Sequence, residues 1–357
     1  MDFELSARAQ EAERRAAAML AAEAAAVAGL SGLDPAGLRR LLLAAQQALP
    51  AEGADGVAAR LAVARASPAL LLAAEATRHL RLLLASRGPG ALPAEEWEAL
   101  SRGERIGAVA QADAGGAPAA RLRREGDGWR LSARKSFVTN GPVADWIAVL
   151  AEAEGGEAVC LLAPGDPGVR PGPRLELLGL DGLAVSGLVL EEAAVPAARV
   201  LGPFPDRPAS AGYARESNLS LALAAAGLMR GALRAASRHA RTRVRDGRPL
   251  FARQEVAFRL AEALALTEAA ELLCHRATWL AEAGDPEAGA VVRCAKVFCT
   301  ESAERVASAC LQVTGGEGYR RGSVAERAYR DAKGLTLAGT TVEVARMAIA
   351  DELLARG

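Results

Sequence analysis

Residues 120–141 read "ARLRREGDGWRLSARKSFVTNG", two runs of alternating polarity joined at Gly126-Asp127-Gly128. Alternation with a period of two, broken by a glycine-rich turn, predicts a β-hairpin. Runs of the same texture surround it: "RIGAVAQAD", "WIAVLAEA", "EAVCLLAP" and "SGLVLEEAAVP", with Pro171-Gly172-Pro173 as a further turn signal. Residues 105–206 therefore form a central β-domain, a barrel or sandwich of short strands.

Outward from this block the period lengthens in both directions. Between Phe3 and Ser101 the chain is rich in Ala, Leu, Arg and Glu, and Asp34-Pro35 is a helix start. Leu61, Ala64, Leu71 and Ala74 recur at helical spacing, interrupted by Pro68, which predicts an N-terminal α-helical domain over 1–104. After Pro208, Leu219, Leu223, Ala226 and Arg230 share one face; Val256, Leu260, Ala263 and Thr267 share a second; Cys294, Val297 and Phe298 mark a third. Asp285-Pro286 reads as the cap of that third helix and Gly315-Gly316 as its end. Four long helices between Tyr213 and Arg356 would make residues 207–357 a four-helix-bundle domain. Helices, then strands, then helices, without βαβ alternation, give an α+β, mainly α fold and speak against a Rossmann fold.

Composition narrows the functional classes. The 357 residues carry 43 basic and 43 acidic side chains, so no net field attracts nucleic acid, and any anion must be held locally. Five cysteines, Cys160, Cys274, Cys294, Cys299 and Cys310, show no C-x-x-C spacing, and four lie in apolar helical stretches; reduced packing residues and a cytoplasmic location follow. No metal-ligand spacing is visible. The charged N-terminus lacks a signal peptide's apolar core, and no window of about 18 strongly apolar residues suggests a membrane span.

Four stretches carry a family resemblance: "RKSFVTNGPVADWIAVLAEA" (134–153), "VLEEAAVPAARVLG" (189–202), "RTRVRDGRPLFARQEVAFRLAE" (241–262) and "QVTGGEGYRRGSVAERAYRDAK" (312–333). Together they identify the chain as a member of the acyl-CoA dehydrogenase family over nearly its whole length. The resemblance implies FAD between the β-domain and the bundle. It implies Arg243 on the pyrophosphate, Gln312, Gly315 and Gly316 on phosphate or ribose, Thr139 near flavin N5, Phe137 beside the ring, and Thr341 near the adenosine half. Plainer roles stay open: a helix stop for the Gly-Gly pair, a core aromatic for Phe137 and a helix cap for Thr341. The resemblance also implies an acyl-CoA or other acyl thioester substrate and electron-transfer flavoprotein as redox partner. Arg243 and the Gly-Gly stretch would reach the FAD of a neighbouring copy, so a homodimer or homotetramer is expected.

Departures from the family pattern are informative. In "AQADAGGA" (110–117), Ala110, Gln111 and Gly116 replace threonine, glutamate and serine; further on, Asp181 replaces an arginine and Leu183 a serine on the acyl-CoA side. Dehydrogenation in this family needs a carboxylate to take the α-proton while a hydride leaves the β-carbon. Most members carry that glutamate where this chain has Gly339; some relatives carry it where this chain has Ser217, followed by arginine where this chain has Asn218. Glu216 is one residue away, a rotation of about 100° on a helix. It is either a surface or capping residue or, through a bulge near "ARESN", the catalytic base. His79, His239 and His275 read as solvated helix residues. Three functions stay open: a working acyl thioester dehydrogenase, a baseless subunit of a hetero-oligomer, or a flavin monooxygenase on the same fold.

Overall fold

The computed structural model describes residues 6–49, 53–87, 89–205 and 209–355. Helices come first: α1 (Ala7–Ala22), α2 (Ala24–Ala28), α3 (Pro35–Ala48), α4 (Val57–Ala66), α5 (Pro68–Arg87) and α6 (Ala94–Ser101). Asp34 caps α3, its carboxylate accepting from the Gly37 N–H at 2.7 Å with Pro35 in the first turn. Pro68 separates two helices because it fits the first turn of α5, where no N–H is needed, and Ser67 Oγ accepts from the Leu70 N–H at 3.1 Å.

Eight strands follow: β1 (Gly107–Ala110), β2 (Arg121–Glu125), β3 (Gly128–Thr139), β4 (Trp146–Ala153), β5 (Gly156–Leu162), β6 (Val169–Pro171), β7 (Val185–Pro196) and β8 (Val200–Phe204). They form one sheet in the order β6-β7-β3-β2-β4-β5-β8, with β1 also on β4. The quoted hairpin is β2–β3, closed by Glu125 opposite Gly128 with Gly126 left-handed at φ 56°. Strand β4 shows why "WIAVLAEA" is apolar nearly throughout. Ile147, Val149 and Ala151 point into a core inside the curled sheet with Leu131, Cys160 and Val195. Trp146, Ala148 and Leu150 point the other way, against Leu80, Leu84 and Leu100 of α5 and α6.

The chain then returns to helix: α7 (Ala209–Thr242), a short hairpin of β9 (Val244–Arg245) and β10 (Arg248–Pro249), α8 (Gln254–Glu282), α9 (Ala288–Tyr319), α10 (Val324–Leu337) and α11 (Val342–Ala355). The expected four long helices are three long ones and two of 14 residues each. Helix α9 starts at Ala288, later than Asp285-Pro286 suggested, because the Asp285 carboxylate caps a preceding turn by accepting from the Glu287 N–H at 2.7 Å. At Gly315 the backbone leaves the helical region, so α9 is two helical segments joined at a kink, the second reaching Tyr319. Cys294 is exposed, and the buried stripe of α9 runs instead through Val292, Ala295, Cys299, Ala303, Val306 and Cys310.

One apolar core spans α1, α3, α4, α5 and α7 to α10. Gly227 brings α4 close to α7, since a Cβ there would overlap Ala64. Helix α7 is long and apolar enough by composition to cross a membrane, but 78% of its most apolar window is buried inside the protein, as in a core helix.

Candidate active site

Arg243, Gln312, Gly315 and Gly316, far apart in sequence, line one cleft of about 660 Å³ with His239, Arg245 and Thr314. The cleft opens where α7 ends, the β9–β10 turn begins and α9 bends. Nearby carboxylates are engaged elsewhere: Asp246 with Arg253 at 2.5 Å and Glu255 with Arg259 at 3.0 Å. No ion pair holds Arg243 or Arg245 among the described residues, so both guanidinium groups are available to an anion. Gly315 adopts φ 58°, ψ −143°, a region open essentially to glycine alone. A Cβ on Gly316 would meet nothing within 4 Å, so internal packing does not account for that glycine. Two arginines beside bare backbone form a cradle that suits a phosphate or pyrophosphate.

The remaining residues matched to the flavin do not line this cleft. Phe137 and Thr139 lie on β3, where the register against β7 shifts between Lys135 and Val138. The bulge turns Phe137 to φ 51° and leaves it 68% exposed, a presentation suited to a ligand rather than to the core role also considered. Thr139 is half-buried and opposes Val185. Thr341 Oγ1 accepts from the Val344 N–H at 3.4 Å and so starts α11. The loop carrying Gln111 keeps its backbone anchored, because the buried Lys135 ammonium donates to Gln111 O at 2.8 Å and pairs with Asp113 at 2.8 Å.

The two places where a base was sought face each other. Gly339 is left-handed at φ 64°, and a Cβ there would lie 3.2 Å from Ser217 Oγ, 2.8 Å from Leu221 Cδ1 and 3.8 Å from Asn218 Oδ1. All three neighbours belong to α7, and none is a carboxylate. Lys296 steadies the approach to this loop: wholly buried, it donates to Thr336 O at 3.0 Å at the end of α10. Burial lowers its pKa to about 8, against the pull of Glu343 and Glu301.

Glu216, considered above as a base or a surface residue, pairs with Arg78 and is not among the side chains nearest Gly339. Its Oε2 lies 3.1 Å from Arg78 Nη2, and Arg78 also pairs with Glu75 at 2.7 Å, which in turn holds Arg60 at 3.0 Å. Ser220 Oγ donates to Glu75 at 2.7 Å and lies 3.0 Å from His79 Nε2. Glu216 and Ser220, one turn apart, thus put the polar face of α7 against α5, while Ser217 and Leu221 face Gly339. Burial would raise the Glu75 pKa, but Arg78 and Arg60 outweigh it and hold the carboxyl ionised. His79 is buried rather than solvated; burial and Arg78 push its pKa down to about 4, so the ring is neutral. The signal for this network was in the sequence, as the polar run Glu75-Ala76-Thr77-Arg78-His79 interrupting an apolar helix.

The Arg-Asp pair of the 312–333 stretch joins the loop between β6 and β7 to α10. Arg330 donates to Leu178 O at 2.8 Å and pairs with Asp181 at 2.9 Å and Glu326 at 2.5 Å. The buried Asp331 carboxylate accepts from the Leu180 N–H, and burial lifts its pKa to about 6. Asp181, which departs from the family pattern, is therefore spent on Arg330.

These features define a mainly helical α+β protein with an arginine-lined, anion-receptive cleft at a kinked helix. Sequence models of the acyl-CoA dehydrogenase middle domain and C-terminal domain match residues 109–193 and 214–354. Cyclohex-1-ene-1-carbonyl-CoA dehydrogenase of Geobacter metallireducens is 32% identical over 240 residues, 66% of this chain and 63% of that relative. The 3-(aryl)acrylate reductase of Clostridium sporogenes is 31% identical over 264 residues, 71% of this chain and 70% of that protein. Butyryl-CoA dehydrogenase from Megasphaera elsdenii shares the fold with a TM-score of 0.90 at 24% identity, covering 99% of this chain and 100% of that one. The chain belongs to the acyl-CoA dehydrogenase family. The match to the Geobacter relative spans less than two thirds of that relative's length.

Proposed function

We propose that this chain is a FAD-dependent, acyl-CoA dehydrogenase-like oxidoreductase acting on an acyl thioester. The carrying observation is the cleft that gathers Arg243, Arg245, Gln312, Gly315 and Gly316, with neither arginine in an ion pair among the described residues. FAD would supply the hydride acceptor. The chain's own part is to neutralise the pyrophosphate with Arg243 and Arg245, to offer the Gln312 amide and the open backbone at Gly316, and to present Phe137 and Thr139 to the ring. Because Phe137 and Thr139 do not line the Arg243 cleft, the proposal places each FAD between two copies in a homodimer or homotetramer. Exposed apolar residues support such packing: Phe258, Leu272 and Trp279 lie on α8 at spacings of fourteen and seven residues, and Val344, Met347 and Leu354 lie on α11. Electron-transfer flavoprotein is the proposed acceptor of the electrons.

A second reading is favoured by the facing pair Gly339 and Ser217. With no carboxylate at either place, the chain would serve as a subunit that lends its flavin surface to a complete relative. Anaerobic addition of acyl thioesters to the purified yellow protein separates the two. Bleaching of the flavin supports the oxidoreductase; no bleaching across a wide panel, together with activity only on mixing with a base-carrying family member, supports the subunit.

A further inference from the structure

We propose that His239 is a third side chain of the anion cradle beside Arg243 and Arg245, and that it binds the pyrophosphate in its protonated form. This rests on the reading that the cleft holds FAD. His239 lies on α7 one turn before Arg243, and it lines the cleft of about 660 Å³ together with Arg243, Arg245 and Gln312. Its side chain is half-buried, and neither ring nitrogen has a hydrogen-bond or ion-pair partner among the described residues. The backbone, by contrast, is fixed: the His239 carbonyl oxygen accepts from the Arg243 N–H at 2.9 Å and from Thr242 Oγ1 at 3.3 Å. A rigid turn thus carries an imidazole with both nitrogens unspent into an open cleft.

The charges around the ring decide when it holds a proton. Those that line the cleft are Arg243 at the end of α7, Arg245 on β9, Glu255 and Arg259 on α8, and Glu317 on α9. Glu255 is engaged by Arg259 at 3.0 Å and Glu317 by Arg320 at 3.6 Å, so neither is left to balance an imidazolium. Arg243 and Arg245 by themselves disfavour a proton on His239, whereas the two negative charges of a pyrophosphate favour it. Imidazole changes charge near neutral pH, and its charged form donates from both nitrogens. A proton on His239 should therefore tighten the hold on the pyrophosphate, and the pyrophosphate should in turn draw a proton onto His239. The phosphates of FAD, unlike a phosphate monoester, have no second ionisation, so the charge of the ligand stays constant across this range.

The test is the FAD affinity of the full chain at about pH 8, 7 and 6, read from flavin fluorescence after ultrafiltration, for the unaltered protein, His239→Gln and His239→Lys. The unaltered protein should bind FAD about 3- to 10-fold more tightly at the lowest pH than at the highest. His239→Gln should show no such rise, and His239→Lys, whose charge is fixed over this range, should bind tightly throughout. Acid loosening of the fold would act in the opposite sense, and structural damage in a variant would weaken binding equally at every pH. An affinity that does not rise in the unaltered protein, or a rise that survives His239→Gln, overturns the proposal while leaving the FAD reading intact. A folded protein that takes up no FAD at any of these pH values overturns both.

Discussion

Gly339 and Ser217 stand opposite each other across the gap between the 338–341 loop and α7, with 3.2 Å between Ser217 Oγ and the point where a Cβ on Gly339 would be. The two positions at which the family resemblance places a catalytic glutamate therefore lie beside each other, and neither carries a carboxylate in this chain. The two positions are not equivalent for restoring a carboxylate. At Gly339 a side chain would have to accept φ 64° and would press on Leu221, so Gly339→Glu should cost about 1–3 kcal/mol in chemical unfolding. Ser217 is an ordinary helical position, and Ser217→Glu should keep the stability. It should also speed anaerobic flavin bleaching by an acyl-CoA by about 100-fold or more, the usual reach of general base catalysis. Unchanged bleaching in a stable, yellow Ser217→Glu variant would count against the placement of the reacting α-carbon.

Glu216→Gln should behave as a structural change. Loss of the carboxylate leaves Arg78 with Glu75 alone, and for a group still 17% exposed the expected cost is about 1–3 kcal/mol. Bleaching per bound flavin should stay within about threefold of the parent, since a base would instead contribute roughly 100-fold or more. A stable protein with bleaching abolished would return Glu216 to the role of base.

Acid should unfold the protein through the α5–α7 network. His79 has a folded pKa of about 4 against 6.5 when unfolded, so its neutral form stabilises the protein fully above pH 6.5. That contribution fades as pH falls from 6.5 to 4, by about 3 kcal/mol. Glu75, held low by Arg78 and Arg60 in spite of its burial, adds a second loss below about pH 4.5, of the same sign. Tm measured at steps from pH 8 to 4 should fall throughout the acid range, and His79→Gln should flatten the part above pH 4.5. A Tm that does not change between pH 6.5 and 4.5 would mean that His79 is not held neutral.

The two glycines of the kink should part company on substitution. Gly315→Ala forces a residue with a Cβ into φ 58°, ψ −143° and should cost about 1–3 kcal/mol in unfolding. Gly316→Ala meets no protein atom within 4 Å and should leave Tm unchanged, yet weaken flavin retention because the methyl group intrudes on the cleft. Equal behaviour of the two variants in Tm and flavin content would refute the cradle.

Much of the fold was legible because local signals agreed with tertiary need. Gly126-Asp127-Gly128 could only close a hairpin, and Asp34-Pro35 could only start a helix. Gly315-Gly316 does mark a break, where the backbone leaves the helical region at Gly315, but a further helical segment follows it as far as Tyr319. Cys294 was placed on the wrong face because apolar spacing on an alanine-rich helix fixes the stripe only loosely, and Val292 and Ala295 won the core. Sequence pattern singles out Arg243 and the Gly-Gly pair, whereas their joining in one cleft, the facing of Gly339 and Ser217 and the unpaired Asn218 oxygen are products of helix packing that no local pattern encodes.

The Arg243 cleft is proposed to hold the pyrophosphate of FAD. Its most direct test is the ratio of FAD to protein in the purified unaltered chain and in Arg243→Ala. The expectation is a yellow parent with bound FAD, and a folded Arg243→Ala protein whose FAD affinity is lower by about 10- to 100-fold, the value of a charged hydrogen bond to phosphate. A parent that takes up no FAD, or an Arg243→Ala protein that keeps it with unchanged affinity, would contradict the account.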